Sequence, residues 1–399
     1  MQDLRTTESI ELMKQFAERT GLTAGRPRRY LWTDAFAVCN LLGLRRLTGE
    51  EHYEELALRL VDQVHHELGR HRSDDRRTGW LSGRPSDEAE VHPTIAGLRI
   101  GKALPERAVN EPLQSDLEWD RDGQYFHYLT KWMHALDQMS RYTHRPVFNT
   151  WARELATTAH RAFTRGRPGE ERMIWKASID LSRALVGSMG QHDPLDGVVT
   201  SLQLDATAEA LGVTPSLGTA TAAFTRMLER EHLATGDALG IGGLLFDAYR
   251  LAQLHTSRAL TGAILAAALT GLRHYVEDPE LRAPAQRRLA FRELGLAIGL
   301  AAVSKLEADG LAATLDARGQ SSLIELAEFL PLRDEIELFW RQPHHRATST
   351  WLGHIDINEV MLATSLAPDG FLALGALERA SDRHDASDDE ARFVRHTPS

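Results

Sequence analysis

The chain has 399 residues, of which 42% are hydrophobic and 26% are charged, and its formal net charge is -10. These proportions are those of a globular protein with a large core, and they exclude a disordered or fibrous chain. The negative charge would repel a polyphosphate backbone, so we expect no nucleic-acid partner.

The sequence also indicates where the protein resides. Cys39 is the only cysteine, so no disulfide can form within the chain, and its apolar neighbours predict a buried thiol. Residues 1–18 carry acids and bases throughout and lack the apolar stretch of a secretory signal. The most apolar region, 260–272, is shorter than a membrane span and is followed directly by Arg273. We therefore expect a cytoplasmic protein with no membrane partner.

Apolar residues recur with the helical period from one end of the chain to the other. No run alternates as a β-strand would. The spacing predicts helices, in chain order, at residues 10–19, 33–47, 53–68, 124–142, 147–164, 174–189, 195–211, 219–233, 242–254, 259–276, 285–306, 323–340 and 355–365.

The predicted helices follow one another through short turns, without a Pro-rich or Ser-rich linker, which favours one continuous all-α domain. The long interruption at residues 69–117 contains Trp80 and His92, and we expect an ordered, functional loop there. Residues 381–399 are polar and charged, so we predict a flexible tail after a domain spanning 1–380.

Two kinds of predicted helix alternate along the chain. Apolar segments rich in small residues, at 35–44 and 125–139, are followed by charged, amphipathic segments at 50–70 and 152–165. In a ring of helical hairpins, inner helices are apolar on all sides and outer helices are charged outward. The alternation therefore predicts a closed ring of hairpins.

This count and alternation of helices over residues 31–366, with aromatic-acid clusters such as Trp32-Thr33-Asp34 at inner-helix starts, carries a family resemblance. The chain resembles the six-hairpin glycosidase superfamily, the (α/α)6 barrels of many glycoside hydrolases and sugar epimerases. The resemblance implies an (α/α)6 toroid with a central cavity that binds a carbohydrate-like small molecule. It is a likeness of fold and assigns no residue roles.

Polar clusters near the predicted inner-helix starts supply candidate site residues. The densest is the segment 118–128, which combines acids, aromatic rings and a histidine, a mixture that binds sugars by stacking and by hydrogen bonds to hydroxyls. Its alternative interpretation is a helix cap at Asp122 beside a surface ion pair of Asp120 with Arg121.

Further clusters admit the same two interpretations. Asp34 follows Trp32 at a helix start and could be a cap, and the segment 351–359 again places an aromatic, a histidine and an acid before an apolar helix. Lys176 and Asp180 stand four residues apart, as in a helical ion pair. The segment 192–197 favours a turn and cap over a functional site.

Hydrolysis of a glycosidic bond needs one carboxylic acid and one carboxylate. The candidate catalytic residues are Asp34, Glu118, Asp120, Asp122 and Asp356. The candidate substrate-binding residues are Trp32, Trp80, His92, Tyr125, His127, Tyr128, Trp175, Lys176 and His354.

Motifs for other chemistries are absent from the sequence. There is no His-Glu-x-x-His, no paired cysteine spacing and no Gly-x-Gly-x-x-Gly after a strand, so we expect neither a metal nor a cofactor. The sequence thus favours a glycoside hydrolase-like enzyme acting on a small glycoside or oligosaccharide. A sugar isomerase or epimerase that uses cavity histidines and a non-catalytic ligand-binding scaffold remain alternatives, and the oligomeric state is not specified.

Overall fold

The protein is described by a computed structural model over residues 4–375, apart from positions 168, 189 and 230. The tail predicted at 381–399 lies outside the described residues. The helices in chain order are α1 (Leu4–Arg19), α2 (Leu31–Thr48), α3 (His52–Leu68), α4 (Ser86–Val91), α5 (Ser115–Glu118), α6 (Phe126–Thr143), α7 (Pro146–Phe163), α8 (Asp193–Ala210), α9 (Gly218–Leu228), α10 (Ala238–Gln253), α11 (Arg258–Glu277), α12 (Ala290–Ala308), α13 (Ala317–Ala327), α14 (Leu330–Arg341), α15 (Pro343–Arg346), α16 (Ser349–Leu352), α17 (Ile355–Leu366) and α18 (Asp369–Leu372).

Short 3-10 helices and short strands lie between these helices. The 3-10 helices are Pro279–Arg282, Ala285–Arg287 and Leu311–Thr314. The strands are β1 (Gln124–Tyr125), β2 (Thr164–Arg165), β3 (Arg172–Met173), β4 (Lys176–Ala177) and β5 (Ala184–Val186), which pair antiparallel as β1-β4-β5 and β2-β3.

Six of the helices form a closed inner ring. Going round it, α2 packs on α6, α6 on α8, α8 on α10, α10 on α12, α12 on α17, and α17 returns to α2. Each also packs on an outer helix: α2 on α3, α6 on α7, α8 on α9, α10 on α11, α12 on α14, and α17 on α1. The predicted all-α (α/α)6 toroid is confirmed.

The two layers follow from the sequences of their helices. Buried residues in α3 recur as Tyr53, Ala57, Leu60, Val61 and Val64, which is one stripe of a helix, so its other face meets water. In α10 nearly every position from Leu244 to Ala252 is buried, because that helix has neighbours on all sides. Helices that are buried on all sides therefore form the inner layer.

The outer helix α11 is long and apolar enough, by length and composition, to cross a membrane, with a mean hydropathy of 1.2. In this fold α11 packs against α10 and α13. Core helices of water-soluble proteins meet the same criterion.

One predicted helix is wrong and a second is divided. The described residues 174–188 do not form a helix: β4 and β5 are joined by a turn in which Leu181 has a positive φ of 60° and Asp180 accepts hydrogen bonds from Ser178 and Ser182. Local side-chain hydrogen bonds of this kind compete with a helix. The strands escaped prediction because two or three residues are too few to show alternation. The predicted helix 323–340 divides into α13 and α14, with a proline in the first turn of α14.

The loop that spans residues 69–117 is tied to the toroid by buried charge. Asp122 is fully buried and accepts hydrogen bonds from Arg99 (Nη1–Oδ2, 2.5 Å) and Arg72 (Nη1–Oδ2, 3.3 Å), both of which belong to the loop. The backbone N–H of Gly101 donates to the same carboxylate. These contacts hold the loop beside the start of α6.

Inner helices α10 and α12 approach closely because glycines face each other. A Cβ on Gly242 would lie 2.1 Å from the carbonyl oxygen of Gly295, and one on Gly299 would lie 2.6 Å from the Cα of Gly242. Because both contacted atoms belong to the backbone, a Cβ at either position could be accommodated only if one of the two helices moved.

Gly242→Ala is therefore expected to lower the free energy of unfolding by about 1–3 kcal/mol through overpacking. Gly243→Ala is the matched control, because a Cβ there meets nothing within 4 Å and the change should stabilise the helix by about 0.5–1 kcal/mol. Urea unfolding of both variants checks this. Equal effects on stability would show that the helices do not depend on this contact.

Candidate active site

The N-terminal ends of the inner helices surround an open cavity of about 420 Å³. Its walls receive Trp32 from α2, Lys131 from α6, Asp193 from α8 and Arg292 from α12. Because helix N-termini carry partial positive charge, a ring of them favours anionic groups at this mouth. The acids near the cavity are therefore the groups to consider.

The floor of the cavity is aromatic. Phe371, from α18, stacks between Phe36 of α2 and Phe246 of α10, with ring centroids 4.2 Å and 4.3 Å away. Trp32 continues this surface, 4.4 Å from the ring of Phe36. Stacked rings offer the apolar surface on which the face of a sugar ring can lie.

Three buried carboxylates lie at this mouth. Asp193 and Asp196 belong to the first turn of α8 and Asp247 to α10, and they are 4%, 8% and 2% exposed. Positions three apart on a helix face the same side, so Asp193 and Asp196 point into one region. The backbone N–H of Gly190 donates to Asp193 at 3.1 Å.

Two cations compensate these acids. Lys131 Nζ lies 2.8 Å from Asp196 Oδ1, and Arg250 Nη2 lies 3.8 Å from the same oxygen. The Nη2 of Arg250 also lies 2.5 Å from Asp247 Oδ1, while its Nη1 donates to Gln203 at 3.1 Å. Arg250 thus joins α8 and α10 beneath the cavity, and Asp193 is left without a direct cationic partner among the described residues.

The pKa values of the neighbouring acids move in opposite directions. Burial raises the pKa of Asp193 from 3.8 to about 7, and the charge of Asp196 adds to the shift. Burial would also raise the pKa of Asp196, but Lys131 and Arg250 together hold it below its ordinary value. At neutral pH one side chain can therefore carry a proton while the other is a carboxylate.

Histidines complete the wall. Burial lowers the pKa of His127 to about 4, so it is neutral at pH 7, and its ring lies parallel to that of Trp175 at 6.0 Å. His192 lines the same cavity and its Nε2 lies 2.8 Å from the carbonyl oxygen of Leu233. At the rim, Asp237 caps α10 and pairs with Arg292.

Of the residues that the sequence singled out, Trp32, His127 and Trp175 line the cavity. The pairing of β1 with β4 places Tyr125 opposite Lys176, which brings Trp175 next to the start of α6. Residue spacing does not reveal this strand pairing, although both segments contain predicted site residues.

None of the five predicted catalytic carboxylates lines this cavity within the described residues. Asp34 is buried and accepts hydrogen bonds from Arg29 (3.3 Å) and from the backbone N–H of Tyr30 (2.9 Å). Burial raises the pKa of Asp34 to about 6, against the effect of Arg29. Asp122 holds the loop as described above, and Asp356 pairs with Arg19 of α1 at 2.6 Å.

The other predicted acids lie on the side of the toroid that carries α5. Glu118 is buried, with Oε1 2.9 Å from Lys176 Nζ and Oε2 3.1 Å from Arg107 Nε, and Asp120 is exposed. Lys176 therefore does not pair with Asp180, which binds Arg77 instead. The predicted helical ion pair is wrong because these residues are in a strand and a turn.

The remaining predicted binding residues lie outside the cavity wall. Trp80 is buried under Arg70, and His92 pairs with Glu154 at 2.6 Å. The hydroxyl groups of Tyr128 and Tyr30 are 2.6 Å apart, and His354 is exposed. Tyr125 packs against Trp175, with ring centroids 4.9 Å apart.

Asp193, Asp196, Asp247 and Lys131 escaped sequence reasoning. The signal for the first two was the segment 192–197, in which two acids three residues apart open an apolar helix. A helix cap gives the same pattern, yet no side-chain cap hydrogen bond is made by the N-cap residue His192. Among the described residues no group of three or more His, Cys, Asp or Glu side chains is arranged to hold a metal ion.

Comparison with solved structures identifies the architecture. A GH76 α-mannanase from Bacteroides thetaiotaomicron superposes with a TM-score of 0.54 at 8% sequence identity, over 92% of this chain and 96% of that chain. The chain shares its fold with this enzyme. An inactive variant of the GH76A α-1,6-mannanase of Salegentibacter sp. HEL1_6, in complex with α-1,6-mannotriose, gives 0.52 at 12% identity over 91% and 99%.

Sequence comparison does not place the chain in a family. No protein-family model matches the chain. The exopolysaccharide production protein ExoQ of Rhizobium meliloti is 31% identical over 204 residues, which are 48% of this chain and 44% of that protein. The chain thus spans less than half the length of this relative, and the activity of the relative is not carried over.

Asp193 makes a testable contribution to stability. Its pKa is higher in the folded protein than the ordinary value, so between pH 4 and 7 the folded state binds a proton that the unfolded state has released. The free energy of unfolding should therefore fall as pH rises through this window. Asp193→Asn removes the effect, and its stability relative to the parent should increase between pH 4 and pH 7.5 by on the order of 1–3 kcal/mol.

Urea unfolding at pH 4 and pH 7.5 measures this change. Glu209→Gln, an exposed substitution on the last turn of α8, is the control and should show no such increase. An Asp193→Asn variant whose relative stability is the same at both pH values would contradict the raised pKa.

Proposed function

We propose that the protein is a glycoside hydrolase that cleaves an oligosaccharide in the central cavity, with Asp193 as the acid and Asp196 as the carboxylate. The observation that carries the proposal is the pair itself: two buried acids on one helical turn, of which one is held ionised by Lys131 and Arg250 and the other favours its protonated form. This separation of roles is what glycosidic bond cleavage requires.

In the proposed mechanism, the protonated Asp193 donates its proton to the glycosidic oxygen, so that the leaving sugar departs as an alcohol. Asp196 attacks the anomeric carbon, and its ester is then hydrolysed by water that the ionised Asp193 deprotonates. In this proposal the configuration at the anomeric carbon is retained, because the sugar passes through an ester of Asp196.

The surroundings support the two acids. The aromatic floor and Trp175 offer faces for sugar rings, and Lys131 and Arg250 stabilise the charge of Asp196 when no substrate is bound. In the structurally similar α-1,6-mannanase, the variant in complex with α-1,6-mannotriose is inactive and has two adjacent aspartates changed to asparagine. For this chain, an oligosaccharide such as α-1,6-mannotriose is the first substrate to test.

Asp193→Asn and Asp196→Asn should each lower kcat by about 10²–10⁴-fold, because each removes one of the two proton-transfer or nucleophilic groups. Product release from a panel of di- and trisaccharides, including α-1,6-mannotriose, measures this. Glu209→Gln is again the control and should retain full activity. Hydrolysis that survives both aspartate substitutions would sink the assignment.

The pH profile provides an independent check. Hydrolysis needs Asp193 protonated, so activity should fall as pH rises above about 7, the pKa to which burial raises this acid. Asp196, whose pKa is lowered, sets the acidic limb. An activity that keeps rising through pH 8 would be incompatible with Asp193 as the acid.

A sugar epimerase or isomerase is the second candidate, because the neutral His127 and the nearby His192 both line the cavity and could move protons at a carbonyl carbon. Mass spectrometry of the product separates the two functions. Hydrolysis adds one water and yields two smaller sugars, whereas epimerisation leaves the mass unchanged.

A further inference from the structure

A second, smaller cavity adjoins the central one. It has a volume of about 110 Å³ and is lined by Trp119, Tyr125 and Glu118, among others. Trp175 lines both cavities, so its indole is the wall that they share. A chain of sugars leaving the central cavity past Trp175 would reach this second space.

Trp119 presents an indole to solvent there. The residue is 53% exposed, which is unusual for so large an apolar side chain. Its ring meets that of Trp175 edge-on, with centroids 4.8 Å apart, and Trp175 in turn packs on Tyr125 and His127. The exposed ring is therefore held by a row of aromatic side chains that leads back to the central cavity.

Tyr125 adds an unsatisfied polar group. It is 1% exposed, and its hydroxyl has no hydrogen-bond partner among the described residues. Buried polar groups are nearly always paired, so an unpaired hydroxyl beside a cavity is available to bond a molecule that enters it. Glu118, also on this wall, is paired with Lys176 and Arg107, and its carboxylate oxygens have lone pairs left to accept a hydrogen bond from a hydroxyl.

We propose that this second cavity is a distal sugar subsite, with Trp119 as the stacking platform and Tyr125 as a hydrogen-bonding group. The inference rests on the proposed function and extends it: the substrate is an oligosaccharide with one sugar unit in the central cavity and a further unit beyond Trp175. The enzyme would then distinguish substrates by chain length.

The test measures binding apart from turnover. In the Asp196→Asn background, calorimetric titration measures how binding affinity depends on the length of the sugar. The ligands are linear α-1,6-linked mannose oligosaccharides and other oligosaccharides of up to six units, together with the monosaccharides. Trp119→Ala should weaken binding of the longer sugars about three- to tenfold, the factor for loss of one aromatic contact, and leave monosaccharides unaffected. Trp119→Phe should recover most of the affinity.

Two further variants separate binding from structure. Tyr125→Phe should weaken binding of the longer sugars without lowering stability, since the hydroxyl has no hydrogen-bond partner to lose among the described residues. Leu338→Ala, at a 61% exposed apolar residue of α14, is the control and should change neither quantity.

The outcomes keep the two proposals apart. Equal affinity of the parent and Trp119→Ala for long oligosaccharides would overturn the subsite and leave the proposed function standing. Binding that depends on Trp119, together with no hydrolysis of the same sugars by the unmodified protein, would support the subsite and refute the hydrolase. Absence of binding to every sugar would overturn the subsite.

Discussion

Burial of three carboxylates at one open mouth is the constraint on which the site depends. Isolated charges are too costly to bury, so each acid must be paired or must bind a proton. Lys131 and Arg250 together hold the pKa of Asp196 below its ordinary value. Arg250 also pairs with Asp247, whose pKa burial nevertheless raises. Asp193 has no cation paired with it among the described residues, and burial raises its pKa to about 7. Because two cations pair with two of the three acids, Asp193 and Asp196 differ in pKa. A third cation beside Asp193 would remove this difference.

The closed ring makes this arrangement possible. The helices of the inner layer begin at the same mouth, so side chains near these ends, such as Trp32, Lys131 and Asp193, converge although they come from distant parts of the sequence. The partial positive charge of the helix starts adds to the stabilisation of carboxylates there. The glycine contact between α10 and α12 sets how near these two helices lie at this end of the ring.

The fold could be predicted from the sequence because it depends on which residues are buried, and that pattern is local. In α2, α6 and α12, apolar residues recur with the period of a helix. The site could be predicted only in part. Trp32, His127 and Trp175 carry a visible aromatic signal, whereas Asp193 and Asp196 look like a helix cap. What distinguishes them is contact with Lys131 and Arg250, which belong to other helices. Such pairings arise from tertiary structure and leave no trace in residue spacing.

The floor of the cavity has a consequence for how the protein is made. Phe371 closes the bottom of the ring, and its carbonyl oxygen lies 2.9 Å from Nε2 of His134 in α6. A ribosome releases the charged residues of the site, from Lys131 to Arg250, more than a hundred residues before this plug. The ring is closed by α17, which lies directly before α18 in the chain, so the aromatic walls stay uncovered during synthesis until both helices have been made and have packed onto α2.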